Sequence, residues 1–414
     1  MRIRKLSRLE PVELAFSPIE VARRLAHLEG FVFLDSSLPS HASLSIVGAL
    51  PERRVEGQLP DVSELERTVA SLSGAAPPDV GMPDGAAIGW FEYDGRYSFG
   101  IYHDLLIFSH RHEQWFARGN LLDALDEGAM FHSEPILFRA EQSREQFLEA
   151  VRQAQQYIAA GDIYQVCLAH RFVSEATGCH PWSFYEALRD YSPAPNGAYL
   201  DVGGGRTICS ASPETFLRFS GREVETRPIK GTRPRRDSQD ADERSAYELL
   251  TSQKEIAELV MITDLERNDL GRVCEYGSVR VTDLLRLERF EQVFHLVSTV
   301  KGTLREGVSQ VNALVECFPG GSISGAPKVR AMQIIRELEP VSRGVYTGAI
   351  GYFGFNGESQ FNIAIRTAEF ASGSASFHAG AGIVADSIPE REWEETLQKA
   401  SGLILASERI GRNE

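Results

Sequence analysis

The sequence predicts an α+β fold: large antiparallel β-sheets packed as a sandwich, with helices on the outside. Strand-like runs come in adjacent pairs about short turns, such as 215–219 and 223–228 about Ser220-Gly221. They do not alternate regularly with helices, as a parallel sheet would require. Long helical periodicities stand apart from them, at 17–30, 144–160, 241–269, 328–338 and 389–409.

In chain order, residues 1–140 form a first region. Helix 17–30 has Pro18 near its start, Val21, Leu25 and Leu28 on one stripe, and Gly30 as its stop. Strands follow at 31–34 and 43–50. Residues 58–85, rich in Pro, Gly, Ser and Asp, read as a short helix within a mobile surface segment. Strands resume at 86–93 and 102–109. The texture changes at Ser143, and 143–410 form a second region. Its first helix opens on a Ser cap and stops at Gly161. Strands are expected at 162–172, 198–202, 206–211, 215–219, 223–228, 279–285, 293–301, 345–355, 359–370 and 376–384. A Pro/Gly loop at 319–327 separates two of these groups.

The chain has 414 residues and a formal net charge of −15, from 58 acidic and 43 basic residues. Such an acidic chain is a poor partner for nucleic acid or an anionic membrane surface. An anionic substrate would need cations, backbone N–H groups or a metal gathered locally. The five cysteines show no C-x-x-C spacing, which argues against a zinc ribbon or redox pair and for thiols in a reducing compartment. The basic N-terminus is not followed by an apolar run, and no stretch is long enough to span a bilayer, so a cytoplasmic protein is expected.

Four constellations carry chemistry. Lys230, in Arg227-Pro-Ile-Lys-Gly-Thr232-Arg-Pro-Arg235, sits where a strand ends in a loop; partial desolvation there makes an amine a nucleophile near neutral pH. On the helix beyond, Ala257, Val260, Met261 and Leu265 form an apolar face, and Glu255, Glu258 and Ile262 another. On the last helix, Trp393, Leu397, Ala400 and Ile404 form the apolar stripe, while Glu392, Glu395 and Lys399 share a different face. Two carboxylates one turn apart suit magnesium held by few protein ligands. Finally, Gly380-Ala-Gly382 after a strand and Gly320-Gly-Ser-Ile-Ser-Gly325 before a helix can offer N–H groups to an anion. Each has a plainer reading in isolation: a solvated lysine, a solvated helix face, an i,i+4 surface pair, a turn.

Together these segments resemble the chorismate-utilising family of anthranilate, aminodeoxychorismate, isochorismate and salicylate synthases. The resemblance is dense over 143–409. It includes Gly161-Asp-Ile-Tyr-Gln165-Val, Ser212-Pro-Glu214, Asp264-Leu-Glu-Arg-Asn-Asp269 and His295-Leu-Val-Ser298. It continues through Gly344-Val-Tyr346-Thr-Gly348, Asn362-Ile-Ala-Ile-Arg366-Thr367 and the final helix. It implies an anthranilate synthase component I-like fold, with 1–140 as the N-terminal region and 143–410 as the chorismate-binding catalytic domain. Two positions select the branch. The lysine that activates water in isochorismate and salicylate synthases is replaced by Gln165. The Pro-Ile-x-Gly-Thr motif, with Ala in anthranilate synthases, carries Lys230, as in aminodeoxychorismate synthases.

The resemblance thus implies an aminodeoxychorismate synthase component I, on the route to 4-aminobenzoate and folate. Lys230 is implied as the covalent nucleophile, Glu214 as general acid and His295 as a polarising group. Glu258, Glu392 and Glu395 are implied as Mg2+ ligands. Gln165, Thr232, Tyr346, Arg366, Gly380, Gly382 and Lys399 are implied as substrate contacts. Cys167 departs from the family, which more often has Asn there. No cysteine stands in Gly-x-Cys-x-Gly, so ammonia is expected from a partner glutamine amidotransferase, component II. The alternatives are anthranilate synthase component I and a non-catalytic paralogue binding chorismate or tryptophan.

Overall fold

The structure is a computed structural model that describes residues 6–38, 43–74, 81–125, 128, 131, 133–290 and 293–410. It is an α+β sandwich of a 12-stranded and a 10-stranded sheet, every recorded strand pair antiparallel. Both sheets draw strands from either side of residue 140. Strands Val32–Asp35 and Leu44–Gly48 join Asn196–Gly203 in the first. Strand Ala86–Phe91 joins Ala349–Gly354 in the second.

Strand alternation builds the layers. Val32, Ile46, Leu200 and Ile208 of the first sheet point between the sheets, onto Ile88, Trp90 and Ile350 of the second. Their neighbours Phe33, Val47, Tyr199 and Cys209 point the other way. There they pack under helices carrying Trp182, Leu188, Ala400 and Leu403. Where helices cover it, the first sheet is buried on both faces, and strands Val32–Asp35 and Leu44–Gly48 there are almost wholly buried.

Several elements differ from expectation. The first helix spans only Pro18–Leu25, and the chain turns at Ala26 before Gly30 takes φ +62°. The stretch 241–269 is two helices, Gln239–Thr251 and Gln253–Val273. They are broken at Ser252, whose extended backbone and hydroxyl cap the second. Residues 102–109 divide between strands Arg96–Tyr102 and Leu105–Ser109. The segment 58–85 holds helix Ser63–Leu72 and buries Leu65 and Met82, so these parts are packed; 75–80 lie outside the described residues. Strands Leu6–Val12, Arg54–Gln58 and Gln114–Gly119 and helices Pro181–Tyr191 and Gln310–Cys317 were not anticipated.

Both acidic helices are rotated from the predicted faces. In Gln253–Val273 the buried side carries Leu259, Ile262, Glu266 and Leu270, whereas Ala257 and Val260 face solvent. In Pro389–Arg409 it carries Glu392, Thr396, Ala400 and Leu403, while Leu397 is exposed. Polar residues enter these faces because partners await them: Thr396 bonds His170 at 2.8 Å, and Ser387 bonds Glu392 at 2.8 Å. No helix among the described residues is long and apolar enough to cross a membrane.

Candidate active site

The expected strand at 359–370 is two strands in different sheets: Glu358–Ile363 in the second and Thr367–Ala371 in the first. The chain crosses between them at Ala364–Arg366, and Arg366 takes the left-handed φ of +49° to do so. A non-glycine residue there is uncommon and points to function. Around this crossing opens a cleft of about 970 Å³, open solvent at its mouth included. Glu214, Lys230, His295, Tyr346, Arg366, Gly380, Gly382 and Lys399 line it. Gln165, Glu258, Glu392 and Glu395 do not line it directly.

Lys230 lies within strand Ile229–Pro234, a correction to the expected loop. Lys230 pairs with Leu296 and Thr232 with His295, so one extra residue, Gly231, is accommodated at φ +72°. This glycine bulge breaks the alternation, and Ile229, Lys230 and Gly231 all reach the cleft. A Cβ on Gly231 would stand 2.5 Å from Leu249 Cδ1. Lys230 is part-buried, and its Nζ donates to the Ser322 carbonyl at 3.3 Å. Burial works against its charge, but the Cys167 sulfur, Glu258, Glu214 and Glu395 outweigh it and hold the ammonium above its ordinary pKa. This corrects the expectation of an amine freed by desolvation. Because burial pushes both the Cys167 thiol and Glu214 up, toward their neutral forms, the cause that remains is the pair of glutamates on the acidic helices, Glu258 and Glu395.

Glu214 is buried, and burial raises its pKa against a hydrogen bond from Ser322 and the Lys230 charge. It is a neutral acid to higher pH than an ordinary glutamate. His295 is lowered to about 4 by burial and by Arg366, with its ring bonded to the Gly231 backbone. It is a neutral imidazole at physiological pH. Arg366 is lowered by burial alone, and among the described residues no carboxylate pairs with it. A guanidinium held this way suits the carboxylate of a ligand.

Strand Ser374–Ile383 forms the floor. A Cβ on Gly380 would meet the Leu168 carbonyl at 2.6 Å and the Tyr346 hydroxyl at 3.0 Å. One on Gly382 would meet Gln165 Nε2 at 2.6 Å. Gln165 is 0 % exposed, and neither end of its amide has a partner among the described residues. Tyr346 stacks on His378 with ring centroids 5.4 Å apart. Thr232 is placed by its backbone pairing with His295; its side chain lies outside the described residues.

Beside the cleft the two acidic helices bring Glu258, Glu392 and Glu395 into one field. Burial raises Glu258 and Glu392, and Glu395 raises both further. Burial also opposes ionisation of Glu395, but Lys399, at 2.6 Å, with Lys254 and Lys230, holds it below its ordinary value. Lys254 stands 3.9 Å from Glu392. Among the described residues no three such side chains converge closely enough to be a formed metal site. Yet Glu392 is 3 % exposed, and its Oε2 has no partner among the described residues. A buried carboxylate oxygen without a partner, in an all-oxygen donor set, fits a hard divalent cation.

The chorismate binding enzyme family matches residues 61–404. The chain belongs to that family. As a chorismate binding enzyme it is similar to anthranilate synthase component 1 of Thermus thermophilus, 52 % identical over 271 residues. It is also similar to aminodeoxychorismate synthase component 1 of Bacillus subtilis, 47 % identical over 271 residues. Each match covers 66 % of this chain, and the chain spans 58 % and 57 % of those two relatives. A solved structure of anthranilate synthase component I from Streptococcus pneumoniae superimposes with a TM-score of 0.78 at 31 % identity, covering 88 % of this chain and 93 % of that one.

Two residues of this chorismate binding enzyme were not singled out from sequence. Ser322 touches both Lys230 and Glu214. Its segment was read only as a glycine loop, and a serine whose carbonyl does half the work carries no sequence signal. Glu266 is 3 % exposed and raised to about 7, first by burial, with Lys328 opposing and Asp269 adding. The folded state thus binds this proton more tightly than an ordinary glutamate. Its contribution to stability is full below about pH 4.5 and lost as pH rises through about 7, by roughly 3 kcal/mol. Glu266→Gln is neutral throughout, so its stability relative to the parent should improve between about pH 5 and about pH 8. A urea-unfolding difference independent of pH would refute the raised pKa.

Proposed function

We propose that this chorismate binding enzyme is the chorismate-aminating component of a 4-amino-4-deoxychorismate synthase. It takes ammonia from a separate glutamine amidotransferase subunit. The observation carrying this reading is the primary amine of Lys230 inside the cleft, between a buried acid and the acidic helices. Arg366, the Tyr346 hydroxyl and the N–H groups about Gly380 and Gly382 would hold the two carboxylates of chorismate, with Lys399 at the mouth. The Lys230 amine attacks C2, the double bond shifts, and the C4 hydroxyl leaves with the proton of Glu214. Ammonia then adds at C4, the double bond returns, the C2–Nζ bond breaks to release the product, and Glu214 takes back the proton that the added nitrogen sheds. His295, neutral and oriented by the Gly231 backbone, stands beside the ring without competing for the proton.

Glu258, Glu392 and Glu395 would hold Mg2+. When bound it fixes the ring carboxylate and cancels the negative field that keeps Lys230 protonated. Glu258→Gln should raise the magnesium concentration for half-maximal activity by about tenfold or more. An unchanged metal titration would remove Glu258 from the set.

Anthranilate synthase component I is the second reading, favoured by the 52 % identity to the Thermus thermophilus protein. Purified chain with chorismate, ammonium and magnesium separates them. A non-fluorescent product that a lyase converts to 4-aminobenzoate is expected; anthranilate fluorescence would select the second reading. No turnover with ammonium would instead select a chorismate- or tryptophan-binding regulator.

A further inference from the structure

Helix Gln253–Val273 carries Glu258 near its start and, two turns later, Glu266 pressed against the loop before Gly325. Gly321 N–H donates to Glu266 Oε1 at 2.9 Å. The contact is close along the loop: a Cβ on Gly321 would stand 2.5 Å from Leu265 Cδ2, and one on Gly320 2.6 Å from Ile363 Cδ1. The next residue, Ser322, accepts from Lys230 Nζ at 3.3 Å through its carbonyl and bonds Glu214 through its hydroxyl. Arg343, itself buried, donates to the Ile323 carbonyl at 3.1 Å and secures the loop from the other side.

We infer that Glu266 is a positioning residue: by holding the Gly321 N–H it sets Ser322, and Ser322 sets the spacing of the amine and the acid. The inference rests on the reading of Lys230 and Glu214 as the reacting pair. A buried carboxyl group is costly, and this one has little else to hold it. Among the described residues its Oε2 has no partner, and the nearby ammonium of Lys328 is bonded to Asp269 instead. What its place does provide is one acceptor for one loop N–H, adjacent to the residue that bridges the two reacting groups.

The test compares Glu266→Gln, which keeps the acceptor, with Glu266→Leu, which removes it, using chorismate, ammonium and magnesium. Glu266→Gln should stay within about threefold of the parent kcat. Glu266→Leu should lose on the order of 100-fold in kcat while its KM for chorismate changes by less than about threefold. Its pH–rate midpoints should also move, because Lys230 and Glu214 lose their common partner. If the leucine chain does not fold, Glu266→Asp, which withdraws the carboxyl from Gly321, should show the same split. An unimpaired Glu266→Leu or Glu266→Asp, or a glutamine variant as slow as the leucine one, overturns the positioning role. Lys230→Ala assayed in parallel separates the two failures. Full activity there sinks the functional reading itself, whereas loss there beside an active Glu266→Leu sinks only the role of Glu266.

Discussion

Lys230→Ala is expected to lower formation of 4-amino-4-deoxychorismate by at least about a thousandfold. The structure gives the expectation its physical form. The amine enters the cleft on a glycine bulge, bonded to a carbonyl and surrounded by carboxylates that hold it charged. A group so placed reacts only after losing that proton, so the substituted enzyme has no other amine at the same point. Intact-mass spectrometry checks the claim directly. With chorismate and magnesium but no ammonia, the parent should gain the mass of chorismate less one water, and the alanine variant should gain nothing. Undiminished product from Lys230→Ala would refute the covalent role.

Glu214→Gln is the second large effect. The carboxamide keeps the shape of the buried acid but cannot give a proton to the departing hydroxyl, so kcat should fall by about 10²–10⁴-fold with KM little changed. The pH dependence has a definite sign. Burial raises the Glu214 pKa, so the active protonated acid persists above the ordinary glutamate range and is lost as pH rises through the raised value. The limb of the pH–rate profile that reports this loss should vanish in the glutamine variant. A variant with parental kcat would show that another group protonates the leaving oxygen.

Legibility of the sequence followed how local each signal was. The last helix was anticipated at 389–409 and is Pro389–Arg409, because Pro at its first turn and a long periodic run fix both ends. Its rotation was not legible: Glu392 and Thr396 are buried because Ser387 and His170 wait for them, and those partners lie on other segments. Helix Pro181–Tyr191 was missed, since its cap is His180 and its aromatic residues look strand-like. Lys230 was placed where a strand ends in a loop, because the glycine of a bulge and the glycine of a loop look alike in sequence. The split of 359–370 into two strands depends on Arg366 adopting a left-handed backbone, which its side chain gives no reason to expect. The cleft residues were legible through the family's motifs, whereas Ser322 and Glu266 act through backbone groups that no motif spells out.

Lys230 is borne by the second sheet, the glycine floor of Gly380 and Gly382 by the first, and Glu214 by the two-residue link between strand Arg206–Ser212 of the first and strand Thr215–Ser220 of the second. On the proposed reading, the gap that grips chorismate is therefore a dimension of the sandwich itself, set by the thickness of the hydrocarbon layer between its two halves. Trimming or enlarging a side chain in that layer, such as Ile350 or Leu200, would act like turning the screw of a vice whose jaws hold the reaction.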